Sequence, residues 1–189
     1  NSCSTATGHP IGGRVPPWGY AESVLIDGDR LICTPGGQQT GTFAALEKTS
    51  GRVLWQSREV TERAEYASPI LIEFEEVRQV VTMSRGGLIA VSPENGALLW
   101  RHNRVAGRRT PESTTAHCNP PVYADGYVFE ATGYHTRGGG AVALRKTAAG
   151  IKAEPLWESK RLNSELGGYV LVNGVIYATA SPGWRCVEL

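Results

Sequence analysis

The sequence predicts an all-β protein, a β-propeller of four-stranded antiparallel blades, on three observations. A motif ending in tryptophan recurs three times, a hairpin pattern precedes each copy, and successive units begin 46, 52 and 48 residues apart, from Ser23 to Pro69 to Pro121 to Tyr169. A period of that size marks stacked supersecondary units. Four short strands per period describe propeller blades.

In the first unit, residues 23–26 and 30–33 flank Asp27-Gly28, a pair that suits a two-residue turn because Asp and Gly tolerate positive φ. A Gly-rich link leads to a third strand over 42–46, Ser50-Gly51 reverses the chain, and a fourth strand ends at Trp55. The second unit has strands over 69–72 and 80–83 joined by a longer connection, residues 73–78. It continues through 88–91 and Asn95-Gly96 to Trp100. The third runs 121–124, Asp125-Gly126, 127–131, the link Gly138-Gly139-Gly140, then 141–144 and a last strand ending at Trp157. Period-2 alternation and β-branched residues favour strand over helix throughout.

From Ala to Trp the motif covers ten residues in the first copy (Ala45 to Trp55) and ten in the second (Ala90 to Trp100). In the third, Ala143 to Trp157 covers fourteen, which places about four added residues in the turn. Trp55, Trp100 and Trp157 are therefore expected to be equivalent and largely buried, with Gly51 and Gly96 reversing the chain before the first two. The fourth unit pairs residues 169–172 and 175–178 across Asn173-Gly174, and its last residues, Cys186-Val187-Glu188-Leu189, align with Ala45-Leu46-Glu47-Lys48. After an irregular segment over 1–15, the blades are placed at about 16–60, 61–105, 112–160 and 161–189, the last unfinished. A propeller closes its ring to remove sheet edges. Four blades with one unfinished are thus expected to be part of a larger ring, and in isolation to self-associate.

A net charge of +1 on 189 residues excludes the strongly basic field of a nucleic-acid-binding domain. The one basic cluster, Arg101, His102, Arg104, Arg108 and Arg109, falls between two blades, as a solvated loop or an anion or partner contact. No apolar run approaches the roughly eighteen residues of a membrane span. No signal peptide is visible, which decides nothing about export. Cys3, Cys33, Cys118 and Cys186 are scattered, with no C-x-x-C and no zinc spacing. His117-Cys118 is a poor ligand pair because neighbours on an extended segment point apart. Residues 82–86 lack the leading Gly of a nucleophile elbow. Residues 36–41 have the glycines of a phosphate loop but neither its Lys nor its helix.

With the repeats laid out, the chain resembles the pyrroloquinoline quinone (PQQ) repeat propellers of the quinoprotein dehydrogenase-like superfamily, over residues 16–189. Their tryptophan-docking motif, Ala-x-Asp-x-x-Thr-Gly-x-x-x-Trp, is matched at Ala45, Glu47, Ser50, Gly51 and Trp55, and at Ala90, Gly96 and Trp100. Trp18-Gly19-Tyr20, residues 34–37 and residues 138–140 resemble a bacterial, BamB-like branch. The resemblance implies a propeller whose docking Trp packs between blades, a periplasmic or secreted location, and protein partners or the remaining blades of the same ring as contacts. It also implies an alternative, a PQQ and calcium dependent alcohol or sugar dehydrogenase. Against that stand the absence of a Cys-Cys pair and the placement of Asp27, Asp29 and Asp125 at hairpin turns, where backbone geometry explains them. No cofactor, metal ligand or catalytic residue is therefore assigned.

In a propeller the segments leading into the first strands ring one mouth of the central channel, and loops on a rigid scaffold are where binding sits. Here they bring Trp18, Tyr20, Glu22, Tyr66, His117, Asn119 and Glu165 to one rim. That mixture suits a protein partner or a small polar ligand such as a sugar, a peptide or a quinone. A carbohydrate-binding propeller is a further alternative.

Overall fold

A computed structural model describes residues 11–37, 41–104, 116–134, 138–180 and 183–189. They form four antiparallel sheets, each made of consecutive strands hydrogen-bonded in chain order. The first holds β1 (Leu25–Asp27), β2 (Arg30–Cys33), β3 (Ala44–Glu47) and β4 (Val53–Gln56). The second holds β5 (Ile70–Phe74), β6 (Val77–Ser84), β7 (Gly87–Val91) and β8 (Leu98–His102). The third holds β9 (Val122–Ala124), β10 (Tyr127–Thr132), β11 (Gly138–Thr147) and β12 (Gly150–Ser159). Three strands make the fourth: β13 (Tyr169–Val172), β14 (Val175–Thr179) and β15 (Trp184–Glu188). This is a partial propeller of blades.

The blades stack because their central strands are apolar on both faces. In β6, Val80 packs toward the first blade with Ile32, Phe43 and Ala45, while its neighbour Val81 packs toward the third with Val128 and Val142. In β7, Ile89 and Val91 face the first blade, and Leu88 and Ala90 the third. The same alternation sends Val128 of β10 to the second blade and Phe129 to the fourth, beside Ile176 and Ala178. One core thus lies between each successive pair of blades, as period-2 side-chain alternation requires. The first strands lie beside one another, β1 by β5 and β9 by β13. A cavity of about 670 Å³ runs among β5, β9 and β13, lined by Ile70, Ile72, Val122, Tyr123, Tyr169 and Leu171 among others.

Four expectations are corrected. The connection over 73–78 is not long: Phe74 pairs with Val77, and Glu75 and Glu76 form a two-residue turn with φ of 52° and 64°. Both take the left-handed conformation without glycine, at a cost on the order of 1 kcal/mol each, because the twist of a two-residue hairpin demands it.

Asp27 is not a turn residue either. It closes β1 opposite Arg30, and Gly28-Asp29 makes the turn. The Asp27 carboxylate is buried and held by Arg78 of the next blade and by Arg30 at 3.3 Å. The Arg78 guanidinium, ahead of the cost of burial, holds its pKa below the usual carboxylate value.

The third motif copy is shifted. Ala45 pairs with Trp55, Ala90 with Trp100 and Ala141, not Ala143, with Trp157; each pair is followed by a bulge. The pairing skips Leu54, Leu99 and Leu156, so the extra residue of every bulge is the Leu before the Trp. The added residues lengthen both arms of the β11–β12 hairpin down to Thr147 opposite Gly150, and leave a two-residue turn.

The three tryptophans are equivalent in register but not in burial. Trp100 is 5% exposed, whereas Trp55 and Trp157 are half-buried. The Trp55 indole N–H donates to the Pro93 carbonyl of the next blade at 3.0 Å, and its ring lies so close to Gly96 that a Cβ there would come within 2.6 Å. Gly51 and Gly96 both take positive φ (72° and 73°). The long hairpin of the third blade covers Trp100 with Ile151 and Ala153. Trp157 lies 5.8 Å from Phe129, and among the described residues the fourth blade has no fourth strand to cover it.

Candidate functional site

The segments leading into β1, β5, β9 and β13 are tied to one another at a single mouth of the channel. The Ser23 amide donates to Ser68 Oγ at 2.8 Å, and the Tyr66 amide to the His117 carbonyl at 3.0 Å. Asn119 Nδ2 donates to the Ser164 carbonyl at 2.9 Å, while its Oδ1 accepts from the Gly168 amide at 3.2 Å. Asn119 is 3% exposed and its amide is committed to backbone. It staples the lead-in of the fourth blade to that of the third.

The other rim residues divide into two groups. Trp18, 61% exposed, stands 5.7 Å from the Tyr66 ring, and its amide donates to Tyr66 Oη at 3.4 Å. These two line a common cavity of about 380 Å³ with Ala21, Ala116, Cys118, Tyr134 and Leu166. Leu166 is 71% exposed. The remaining candidates do not line it. Tyr20 donates its hydroxyl to the Pro35 carbonyl at 2.8 Å, and Glu22 accepts from Thr34 Oγ1 at 2.9 Å, its pKa raised by burial. Glu165 is exposed, with its stem packed over Gly133. His117 is fully buried.

Tyr134, Leu166 and Cys118 escaped the choice of single residues. Leu166 sits in the Glu165-Leu166-Gly167-Gly168 lead-in, where an apolar residue in a polar, Gly-rich loop was a visible signal. Tyr134 follows the end of β10, and an antiparallel second strand returns to the mouth at which the first strand began. Its φ of 46° places a bulky side chain in the left-handed region.

Beneath the cavity two titratable side chains are buried, Glu65 and His117. The His117 amide donates to Glu65 Oε2 at 3.4 Å, and neither imidazole nitrogen has a hydrogen-bond partner among the described residues. Burial raises the Glu65 pKa from 4.5 to about 7, against the pull of Arg63, 3.5 Å away. Burial, together with Arg104, lowers that of His117 from 6.5 to about 4. Between pH 4.5 and 6.5 the folded pair holds its one proton on Glu65, and the unfolded pair holds one on His117. Equal proton counts leave stability flat with pH.

Single replacements unbalance this. In Glu65→Gln only the lowered His117 pKa remains, so the unfolded state binds the extra proton, and stability is expected to fall as pH drops from 6.5 toward 4. In His117→Gln only the raised Glu65 pKa remains, and stability is expected to rise as pH drops from 7 to 4.5. Each excursion is on the order of 3 kcal/mol. Urea melts across this range check both signs. Parallel pH profiles for the two variants would refute the opposite shifts of the two buried groups.

Among the described residues of the mouth, Glu22 accepts from Thr34, Glu65 faces Arg63, and Asn119 Oδ1 accepts from the Gly168 amide. No group of three or more His, Cys, Asp or Glu among the described residues is arranged to hold a metal ion.

Comparison with known families settles the lineage. The family described as outer membrane protein assembly factor BamB matches residues 13–185. The chain belongs to that family. Among solved structures it is similar to the computationally designed Ika4 protein, at 12% identity and a TM-score of 0.55, over 90% of this chain and 94% of that one. That likeness concerns the fold alone. The computationally designed Ika8 protein is matched at 14% identity and a TM-score of 0.39, over 97% of this chain and 63% of that one. No curated protein matches. No helix among the described residues is long and apolar enough to cross a membrane.

Proposed function

We propose that this protein is a non-catalytic, extracytoplasmic docking scaffold in the assembly of outer-membrane proteins, and that it holds a protein partner at the channel mouth. The observation that carries the reading is the mouth cavity itself. Trp18, Tyr66, Tyr134 and Leu166 surround it, and two of them stand more than half exposed. Large exposed apolar side chains gathered around a concavity mark interaction sites, and aromatic anchors in pockets dominate protein interfaces. The lining side chains are apolar apart from tyrosine hydroxyls, one indole N–H and a thiol, which favours an apolar side chain of a partner over a sugar or another small polar ligand. Of the polar groups nearby, Tyr20, Glu22 and Asn119 already bond within the rim.

Complementation tests this. In a bacterium lacking the protein, Trp18→Ala and Leu166→Asp are expected to leave outer-membrane β-barrel proteins as depleted as the deletion does, with the variants themselves at normal abundance. Full complementation by both would refute the site. Incubation with PQQ and calcium is expected to yield no dye-linked oxidation of alcohols or sugars; turnover would replace the scaffold with a dehydrogenase.

A further inference from the structure

Three aromatic rings from three separate segments meet at the mouth cavity. Trp18 lies in the lead-in to β1, Tyr66 in the lead-in to β5, and Tyr134 follows the end of β10. The Trp18 and Tyr66 rings are 5.7 Å apart and tilted at 53° to one another. Tyr134 is held at the cavity by a left-handed backbone, with φ of 46°, and strain of that kind gathers at sites that clamp a ligand.

Two hydrogen-bond donors of the tilted pair are unused. The Trp18 indole N–H donates to nothing among the described residues, and Tyr66 Oη accepts from the Trp18 amide at 3.4 Å without donating its own proton. Among the described residues, no carboxylate, amide or charged side chain lines the cavity. An occupant that fits must therefore bring apolar surface and accept hydrogen bonds. A leucine or valine side chain supplies only the first, and would cover the indole N–H and the hydroxyl without giving them partners, which is unfavourable. A lysine or arginine can lie on an aromatic face, but it brings further donors, and no lining carboxylate offsets its charge. A segment containing proline meets both demands. Its rings are apolar and each proline lacks an N–H. In the polyproline II conformation its carbonyls have no internal partner. That conformation is formed before binding, so little ordering entropy is lost, and aromatic-lined grooves recognise it for that reason.

We propose that the mouth cavity docks a short polyproline II segment of the partner protein, with one proline ring against the Trp18 and Tyr66 rings and a neighbouring carbonyl accepting from the Trp18 indole N–H. The volume of about 380 Å³ holds a short stretch only. This inference rests on the reading of the mouth as a docking site and names what the partner presents there.

Fluorine NMR on the intact protein labelled with 5-fluorotryptophan tests the proposal, with Trp18→Phe assigning one of the five tryptophan resonances. The probe is the synthetic peptide acetyl-Ala-Pro-Pro-Leu-Pro-Ala-amide, and a comparison peptide carries Ala at each Pro. The probe is expected to shift the Trp18 resonance saturably and to leave those of Trp55, Trp100 and Trp157 in place, which certifies the fold. The comparison peptide is not preorganised, and it is expected to bind roughly tenfold more weakly. Trp18→Phe keeps a ring and loses the N–H, so a fluorescein-tagged probe followed by anisotropy is expected to bind this variant roughly tenfold more weakly as well. Equal binding of the two peptides would overturn the proline assignment and leave the docking reading standing. No saturable shift at Trp18, a shift at Trp184 instead, or unchanged affinity in Trp18→Phe would overturn it too. The docking reading itself fails by a different result, full complementation by Trp18→Ala and Leu166→Asp.

Discussion

Replacing Trp100 with Ala is expected to cost about 3 to 5 kcal/mol of unfolding free energy, the range for deleting a buried aromatic side chain. The indole is almost wholly enclosed, and it packs against Val128, Val142, Leu144 and Ile151 of the third blade as well as residues of its own. Its N–H donates to Gln79 Oε1, and Gln79 is fully buried. Truncation therefore opens a cavity across a blade junction and also strands a buried amide oxygen, and the second effect adds to the first. Trp55→Ala removes a half-buried ring at the equivalent register position, so it is expected to cost distinctly less. Urea denaturation of the two variants side by side measures the contrast. Equal losses would show that blade junctions do not differ as the hairpin lengths imply.

The second large effect is electrostatic. Arg104, at the end of the second blade, is buried against Glu130 of the third in a two-point pair. Its Nη2 lies 2.9 Å from Glu130 Oε2 and 3.1 Å from the Gly138 carbonyl. Glu130→Ala leaves a guanidinium out of water with a carbonyl in place of its carboxylate, and about 3 to 5 kcal/mol of stability is expected to go. Arg104→Met combined with Glu130→Leu removes both charges and keeps the volume. That double variant is expected to recover most of the loss, since well-packed apolar pairs replace buried ion pairs at little cost. A single variant within about 1 kcal/mol of the parent, or a double variant worse than either single one, would contradict a desolvated pair.

The sheets were legible because the repeat carries its own register. Asp125-Gly126 and Asn173-Gly174 announce two-residue turns by composition, and both residues of each pair take positive φ. Glu75-Glu76 makes the same turn without any residue that advertises it. The shift from Ala143 to Ala141 has a different cause: matching letters counts residues along the chain, whereas pairing counts them across a bulge. The Leu-Trp dipeptide repeated at 54–55, 99–100 and 156–157 was the available sign of that bulge.

At the mouth, segments could be read but directions could not. Trp18 and Tyr66 share a cavity, whereas Glu22, His117 and Asn119 turn to bonds or burial supplied by loops far away in sequence. A lead-in segment shows which residues reach a rim. Which of them face the opening is decided by the neighbouring blades.

The most direct measurement is position-resolved photo-cross-linking in living cells. A benzoylphenylalanine at Leu166, in the mouth cavity, is compared with one at Lys152, exposed on the outer strand β12. A docking scaffold predicts one dominant adduct from position 166, identified as a component of outer-membrane protein assembly, and its loss when Trp18→Ala is added. No adduct from 166, or the same adduct at equal yield from 152, would contradict a partner held at the channel mouth.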